Sequence, residues 1–449
     1  MSKRKDVIFV SLTVIFGLLA GFGGHRLREN YEQERRRELG YYYAQGVKKT
    51  TLDVVDEELI SGGEFLDHIM DIVHGIYVEE IKDETPLAHG ALDFLFQELH
   101  DTGSRFYTPK EWKIQQDILK GIYRGIGANV IVFHQVKDNQ PEFPIVVVSV
   151  PMDSVAWKAG LRPGDVIEEI NGKWVASRWL VADVHAARMK LRKKQITQKQ
   201  FDELFSWVKN KIENLILVPQ ALQQLLEPTT GETKLKILRN GKPKLITIQR
   251  DVHRVELVEI DGNTIRIRGF DPSVPVALKK FLEDKKEITI DLRENGGGSF
   301  ESMQACLELL IPEGTYAQIK REPDKPLEPL RIERGVAQPI KIDVYVDEGT
   351  AREAELFAVA LRDRANAKWI GSSTFGLGAK IERFTLQDGS GYTLTSGMLY
   401  DIAGKPLYRL QNISTRNTLD LLKLPAETNG QIQTIKEPTS KKEKQGVGR

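Results

Sequence analysis

The stretch VYVDEGTAREAELFAVALRD, residues 344–363, decides how this chain folds. A short hydrophobic strand pattern at its start leads through a polar connection into a helix pattern, and Arg352 falls in the expected first turn of that helix. The segment IGSSTFGLG, residues 370–378, follows the helix. A strand, a connection and a helix in this order are typical of layered α/β domains.

The same alternation of strands and helices precedes this stretch. Residues 264–268 and 287–290 predict strands, and a helix pattern between them runs through Leu278 and Leu282. The sequence DLRENGGG, residues 291–298, follows the second strand. Alternating elements of this kind predict an α/β core, which we place at residues 256–425.

A second unit lies before this core. Its clearest sequence is AGLRPGDVIEEING, residues 159–172, in which glycines mark the turns and Asp165 is able to accept hydrogen bonds from the backbone. A tight strand-loop-strand unit of this kind leaves an open sheet edge. A helical insertion at residues 178–227 interrupts the unit. Thr197 and Gln200 form a capping-box pattern there, before an apolar face of Phe201, Leu204, Phe205, Val208, Ile212 and Leu215.

These blocks resemble the C-terminal processing, or tail-specific, serine peptidases. That family carries Gly-Ser-Ala-Ser-Ala-Ser-Glu after a hydrophobic strand, then a helix and Thr-Phe-Gly-Lys-Gly, and elsewhere an Asp-Leu-Arg-x-Asn-Pro-Gly-Gly turn. The resemblance covers roughly residues 56–410. It implies an α/β peptidase-like core with an inserted, β-rich PDZ domain at residues 116–255 and an N-terminal helical region at residues 31–115.

The resemblance also implies which residues occupy the catalytic positions of the family. The nucleophilic serine aligns with Arg352, the lysine base with Leu377, and the glutamine that assists this lysine with Ile381. A hydroxyl attacks only when a neighbouring base takes its proton, and a lysine is such a base only when it is neutral. Leucine has no titratable nitrogen, and arginine stays protonated. The catalytic Ser/Lys dyad is therefore degenerate, and we expect Glu348 or Glu355 to pair with Arg352.

Thr350 and Lys380 are the nearest residues from which a rewired site would be built. Thr350 stands two residues before Arg352, a rotation of about 200° along a starting helix. Lys380 stands three residues after Leu377, on the opposite face of a strand. Both separations argue against a simple replacement.

Gly296, Gly297 and Gly298 align with the glycines whose amides contribute the oxyanion hole of the family. Backbone N–H groups stabilise an oxyanion without any side chain, so the hole can persist although Gly296 replaces a proline. A flexible strand-to-helix turn explains the same three glycines equally well.

The resemblance to PDZ domains implies a peptide-binding loop at Arg124, Gly125, Ile126 and Gly127. PDZ domains add an extended C-terminal peptide as a strand to their open sheet edge, and backbone N–H groups of such a loop hold the terminal carboxylate. C-terminal peptides of other proteins are therefore the expected partners.

The two ends of the chain differ from the middle. Residues 7–24 are uncharged and follow Lys3, Arg4 and Lys5, which predicts a single-pass anchor within residues 1–30 whose basic end stays inside. The bulk of the chain is then expected on the exported side of the cell membrane, although a cleaved signal peptide is the alternative. Residues 426–449 are rich in Lys, Glu, Gln and Gly and predict a disordered tail.

Composition excludes several other classes of function. The net charge of +1 gives no general attraction to nucleic acid. The eight histidines are scattered without metal-ligand spacing, no cofactor motif is present, and a single cysteine excludes an internal disulfide. We therefore expect no metal, no cofactor and no nucleic-acid partner.

Three hypotheses for the function follow from the sequence. The first is a membrane-anchored pseudopeptidase that binds the C-terminal tails of exported proteins. The second is an active serine-type endopeptidase with a rewired site, and the third is a structural partner of an active relative. Self-association into a homo-oligomer stays open under all three.

Overall fold

A computed structural model describes residues 62–409, except residues 138–139, 179, 228–229 and 337–339. The predicted anchor and the predicted tail lie outside these residues. Within them, no helix combines the length and the apolar character that crossing a bilayer requires. The N-terminal part contains α1 (Gly62–Ile76), α2 (Thr85–Gln97), β1 (Arg105–Tyr107), α3 (Pro109–Leu119) and β2 (Ile122–Tyr123).

The second unit is built on a mostly antiparallel sheet in the order β11-β10-β7-β6-β3, in which β3 is an edge strand. A core of buried aliphatic side chains packs against this sheet. The elements are β3 (Asn129–Val132), β4 (Gln135–Lys137), β5 (Gln140–Glu142), β6 (Ile145–Ser149), α4 (Val155–Lys158), β7 (Val166–Ile170), β8 (Lys173–Val175), α5 (Leu180–Arg192), α6 (Gln198–Glu213), β9 (Leu215–Ile216), α7 (Val218–Leu226), β10 (Gly231–Arg239), β11 (Lys242–Arg250) and β12 (His253–Arg254).

The helical insertion has the capping box that the sequence predicts. The Thr197 N–H donates to Gln200 Oε1 at 2.9 Å, and the Gln200 N–H donates to Thr197 Oγ1 at 3.2 Å. Leu204 and Val208 are buried in a small cluster with Trp174. Phe205 belongs to the same apolar pattern but is 47% exposed, because the cluster covers only part of the apolar face of α6.

The third unit confirms the predicted α/β core. Its sheet has the order β13-β14-β15-β18-β19, with all neighbouring pairs parallel except β13 and β14. Helices α8, α9 and α10 contribute their apolar faces to one large core. The elements are β13 (Val258–Asp261), β14 (Thr264–Ile267), α8 (Ser273–Phe281), β15 (Glu287–Asp291), α9 (Phe300–Glu308), β16 (Gly314–Lys320), β17 (Glu328–Ile332), β18 (Lys341–Val346), α10 (Glu353–Ala365), β19 (Lys368–Gly371), β20 (Ala379–Thr385) and β21 (Gly391–Tyr400).

An antiparallel sheet ties the N-terminal part to this third unit. Its order is β1-β21-β16-β17, and β20 also pairs with β21. Arg105 is opposite Thr393, and Tyr107 is opposite Gly391. The N-terminal region, residues 31–115, which was expected to be helical, therefore also contributes a strand. In this strand Phe106 is buried while its two neighbours are partly exposed, the alternation typical of a strand with one buried face.

A buried carboxyl group joins the second and third units. Glu294 is 3% exposed, and its Oε2 accepts a hydrogen bond from the Val150 N–H at 2.5 Å. The Glu294 N–H donates to Asp347 Oδ1 at 2.9 Å. Burial, and then the charge of Asp347, raise the pKa of Glu294 to about 8, while the Val150 amide, Arg162 and Arg268 oppose this shift.

We expect the protonation of Glu294 to make stability depend on pH. An unfolded glutamate has a pKa of about 4.3, so between this value and about 8 the folded chain holds the extra proton. The contribution of protonated Glu294 to stability is therefore fully present at low pH. The free energy of unfolding falls as pH rises through this window. Glu294→Gln keeps an oxygen for Val150 and removes the titration, so it should flatten the slope.

Urea unfolding at several pH values between 5 and 8.5 measures this slope. Glu213→Gln, at an exposed position on α6, is the matched control and should behave like the unmodified chain. An undiminished slope in Glu294→Gln contradicts the assignment.

Candidate functional site

The turn between β18 and α10 presents Arg352 at the candidate site. Arg352 precedes α10 as its N-cap rather than lying in the first helical turn, and its φ of 54° is in the left-handed region. A bulky residue with positive φ is strained, and such turns present a nucleophile in other hydrolases. Two hydrogen bonds hold the turn: the Arg352 N–H donates to Glu355 Oε2 at 3.0 Å, and the Ala351 N–H donates to the Asn295 carbonyl at 2.9 Å. The turn geometry is present, but it presents a guanidinium.

Glu355 does not form the expected ion pair with Arg352. Besides the Arg352 amide, its buried carboxylate accepts hydrogen bonds from the N–H groups of Gly376 at 2.6 Å and Leu377 at 2.8 Å. Arg409 contributes a further contact at 3.3 Å. Within the described residues no ion pair joins Arg352 to Glu348 either, so the predicted partner is wrong. The carboxylate of Glu355 is instead used to hold the 374–378 loop against the start of α10.

The guanidinium of Arg352 has no ion pair and no hydrogen bond to the described part of the chain. The side chain is partly buried. Burial, and then the nearby Arg383, lower the pKa of Arg352, and Glu353 and Glu355 act in the opposite direction. Because arginine stays protonated in proteins, this site contains a cation that has no ion pair among the described residues.

Leu377 lies at the family's base position and is buried in an apolar cluster. Its side chain is 4% exposed and belongs to a cluster that also contains Ala351. The other members come from the sheet of the second unit: Ile131, Phe133, Val146, Val148, Val166 and Leu238. The residue that replaces the base therefore makes a hydrophobic contact between the two units.

The glycines at the predicted oxyanion hole already have internal acceptors. The Gly297 N–H donates to Asn295 Oδ1 at 2.9 Å, and the Gly298 N–H donates to Glu353 Oε2 at 3.0 Å. Glu353 is 1% exposed, and the resemblance places an alanine of the family there. A carboxylate beside these amides repels a developing oxyanion instead of stabilising it. Sequence reasoning missed Glu353, although the alignment with the family motif contained the signal.

Gly296, at the position of the family's proline, lies close to the second unit. A Cβ atom at this position would lie 2.7 Å from Ser149 Oγ and 2.8 Å from Asn129 Nδ2. Both distances are shorter than a carbon atom tolerates, so a larger residue here would require the ends of these two side chains to shift.

Thr350 and Lys380 do not form a rewired pair. Thr350 is fully buried, and its Oγ1 donates to the Leu292 carbonyl at 2.9 Å and accepts from the Asp347 N–H at 3.0 Å. Lys380 forms an ion pair with Glu382 at 2.6 Å. No hydrogen bond connects Thr350 to Lys380 within the described residues. The described residues also contain no cluster of three side chains suited to a metal ion.

One cavity of about 560 Å³ connects the second unit with the degenerate site. Its apolar side is formed by strand β3 and helix α7, and its opposite side by the glycine loop and strand β20. The residues from the first side are Asn129, Val130, Ile131, Val132, Val218, Leu222 and Leu226, and those from the second are Gly296, Gly297, Gly298, Arg352, Ile381 and Arg383. Arg352 and Ile381 are thus brought together, whereas Leu377 is not among the lining residues.

The charged lining of this cavity is strongly cationic. Four arginines face one aspartate among the lining residues, namely Arg105, Arg268, Arg352, Arg383 and Asp93. His134 also lines the cavity, and burial lowers its pKa to about 4, so the imidazole is neutral at pH 7. Sequence reasoning missed Arg383, although the strand period of two places it on the same face as Ile381.

The predicted peptide-binding loop is present, but its amides are partly engaged. Gly125 has a φ of 64°, and a Cβ atom there would collide with the Leu225 carbonyl. The Ile126 N–H donates to that carbonyl at 2.9 Å, and the Gly127 N–H donates to the Arg124 carbonyl at 3.2 Å. The side chain of Arg124 binds Asp117 at 2.8 Å. These four loop residues, 124–127, are not among those that line the cavity.

Comparison with known proteins gives two family matches. Residues 263–414 match the model of peptidase family S41, and residues 146–195 match a PDZ domain. A probable CtpA-like serine protease of Staphylococcus aureus strain COL is 28% identical over 337 residues, which cover 72% of this chain and 58% of that protein. A protein of the same description from Staphylococcus haemolyticus is 28% identical over 316 residues, 68% of this chain and 54% of that one. The chain thus spans less than three fifths of the length of either relative.

The fold is similar to that of the photosystem II D1 C-terminal processing protease. The TM-score is 0.51 at 17% sequence identity, and the match covers 76% of this chain and 84% of that one. The fold and the site together define a serine-peptidase-type α/β core that carries a PDZ domain. The chain is similar in sequence to peptidase family S41 over residues 263–414, and as a whole it resembles the C-terminal processing peptidases.

We expect Leu377→Lys to destabilise the protein. The new ammonium would be buried in an apolar cluster without a partner, which costs roughly 3–5 kcal/mol at pH 7. The loss should shrink as pH rises, because a buried lysine is neutral well below its ordinary pKa. Leu377→Met, a volume-conserving exchange, is the control and should cost less than about 1.5 kcal/mol. Equal unfolding free energies for the two variants would show that Leu377 is not buried between the units.

Proposed function

We propose that the chain is a pseudopeptidase that binds the C-terminal tails of exported proteins. The single observation that carries this proposal is the cavity shared by strand β3 and Arg352. It offers the open strand edge that a tail needs, and it places an arginine at the position from which the family's nucleophile would attack.

The edge of β3 supports binding of an extended segment. β3 pairs with β6 on one side only, so its other edge is free to accept a further strand within the described sheet. An apolar surface lies along that edge. It is formed by Val130 and Val132 of β3 and by Val218 and Leu222 of α7. Strand addition supplies backbone hydrogen bonds, and such a surface supplies contacts for alternate side chains.

The site argues against hydrolysis at three positions. Arg352 is not a nucleophile, and Leu377 is not a base. Glu353 accepts the hydrogen bond of the Gly298 N–H, which would otherwise be able to stabilise the oxyanion. The assisting glutamine is replaced by Ile381, which is buried against the cavity. The buried, doubly hydrogen-bonded hydroxyl of Thr350 gives no support to a rewired site.

The full chain, purified in detergent, should bind peptides without cleaving them. An array of peptides with free C-termini identifies tails that bind, and mass spectrometry of the same peptides after prolonged incubation detects any hydrolysis. Binding without cleavage supports the proposal. Cleavage that is lost in Thr350→Ala would establish a rewired endopeptidase, and the absence of both binding and cleavage would favour a structural partner of an active relative.

We also propose that residues 7–24 anchor the chain in the membrane. The support is their uncharged composition after three basic residues, as described above. The protein should remain in the membrane pellet after carbonate extraction, and deletion of residues 1–30 should release it. A fully soluble protein whose N-terminus lies near His25 would instead identify a cleaved signal peptide.

A further inference from the structure

We propose that Arg352, together with Arg383, binds the terminal carboxylate of the captured tail. The position of the lost nucleophile would then be an anion-binding site. This inference rests on the proposed tail-binding function, and it names the chemical group that the site recognises.

The first argument is that these two arginines lack partners. Within the described part of the chain, the Arg383 guanidinium forms one hydrogen bond, to the Ile381 carbonyl at 3.4 Å, and the Arg352 guanidinium forms none. The other two cavity arginines are paired, Arg105 with Glu111 and Arg268 with Glu259, each at 3.2 Å. Two like charges without counterions repel each other, and an anionic ligand removes that cost.

The nearby carboxylates do not supply the missing counterion. Glu353 and Glu355 lie close enough to favour the charged form of Arg352, but Glu353 Oε2 and both oxygens of Glu355 accept hydrogen bonds from backbone amides. The other oxygen of Glu353, Oε1, is buried without a hydrogen-bond partner among the described residues. Neither forms an ion pair with the guanidinium. A guanidinium presents its N–H groups in a planar fork that matches a carboxylate, so a ligand carboxylate is the chemically suited acceptor.

The third cavity arginine supplies an independent observation. The side chain of Arg268 is 5% exposed, and its Nε is buried without an acceptor. Buried N–H donors almost always have a partner in folded proteins. An acceptor inside the cavity would satisfy this donor as well.

The PDZ-like loop, residues 124–127, is poorly suited to bind the terminal carboxylate of the tail. Two of its amides, those of Ile126 and Gly127, already donate to carbonyls of the chain, and the loop does not line the cavity. A terminal carboxylate that used this loop would have to displace both acceptors. The arginine pair requires no such displacement.

The packing places Arg352 at the correct end of β3. Gly296 lies against Asn129, the first residue of β3, and a Cβ on Gly297 would lie 3.0 Å from the Arg352 Cβ. A tail bound as in a PDZ domain has its carboxylate at this start of the strand, because the carboxylate-binding loop immediately precedes it. Arg352 is thus positioned where the tail ends.

The test compares peptides that differ only in their last group. A tail from the array is used as the free acid, as the C-terminal amide, and as an amide whose last residue is Glu. The proteins are the unmodified full chain and its Arg352→Gln, Arg352→Lys and Arg383→Gln variants. Arg321→Gln, at a partly exposed arginine that pairs with Glu328 and does not line the cavity, is the control for net charge.

We expect the unmodified chain to bind the acid roughly ten- to a hundredfold more tightly than the amide, as a charge-assisted hydrogen bond predicts. Arg352→Gln should abolish this difference, Arg383→Gln should reduce it, and Arg352→Lys should retain part of it. Arg321→Gln should leave it unchanged. Because the strained backbone at position 352 is equally unfavourable for glutamine and arginine, thermal unfolding should show that the variant folds.

Two results would overturn the inference while leaving tail binding intact. One is an acid-to-amide ratio that Arg352→Gln does not change. The other is a requirement for Arg352 with the Glu-ending amide but not with the acid, which would assign the site to an acidic side chain.

If no tail binds, the proposed function fails, and N-acetyl-L-leucine then tests the arginine pair alone. Saturation-transfer NMR should detect binding of this acid, but not of its amide, to the unmodified chain. Loss of this binding in Arg352→Gln supports the anion site. Equal signals from the unmodified chain and from Arg352→Gln overturn it.

Discussion

The carboxylate of Glu355 is the interaction on which the geometry of this site depends. It receives backbone N–H groups from two segments that are distant along the chain, the start of α10 and the 374–378 loop. Charge-assisted hydrogen bonds of this kind are strong in a buried setting. They fix the loop that carries Leu377 against the turn that carries Arg352. Glu355 is the glutamate of the family motif, so the scaffold has remained while the groups it positions have changed.

The changed groups act together rather than one by one. Leu377 joins the sheet of the PDZ unit to the core, and Gly296 lets Ser149 and Asn129 of that unit approach the glycine loop. Glu294 adds a buried hydrogen bond across the same junction. In place of a base and a nucleophile, the chain has a tightly packed junction with a cationic cavity beside it.

Much of the fold could be predicted because local patterns and tertiary packing agree. The alternation of strands and helices predicts the α/β core, and Thr197 with Gln200 predicts the start of α6. The loss of the dyad follows from side-chain chemistry at positions 352 and 377 alone. The exposure of Phe205 could not be predicted, because an apolar pattern indicates a face but not how much of that face another element covers.

The arrangement of the site could not be predicted in the same way. A sequence does not show which backbone amides donate to a buried glutamate. Glu355 accepts from the Arg352 N–H instead of pairing with its guanidinium, so the expected ion pair was wrong. The cavity lies between strands β3 and β20, more than two hundred residues apart in sequence, and its existence depends on how two units pack. The burial of Leu377 depends on the same packing.

The pairing of β1 with β21 has a consequence for how the cavity forms as the chain is made. Thr393 Oγ1 donates to the Gly103 carbonyl across a separation of 290 residues. Contacts this distant in sequence form late and slow folding, because a long loop must close first. Arg105 on β1, and Ile381 and Arg383 on β20, all belong to this sheet and line the cavity. The cavity is therefore complete only after nearly all of the described chain has been synthesised.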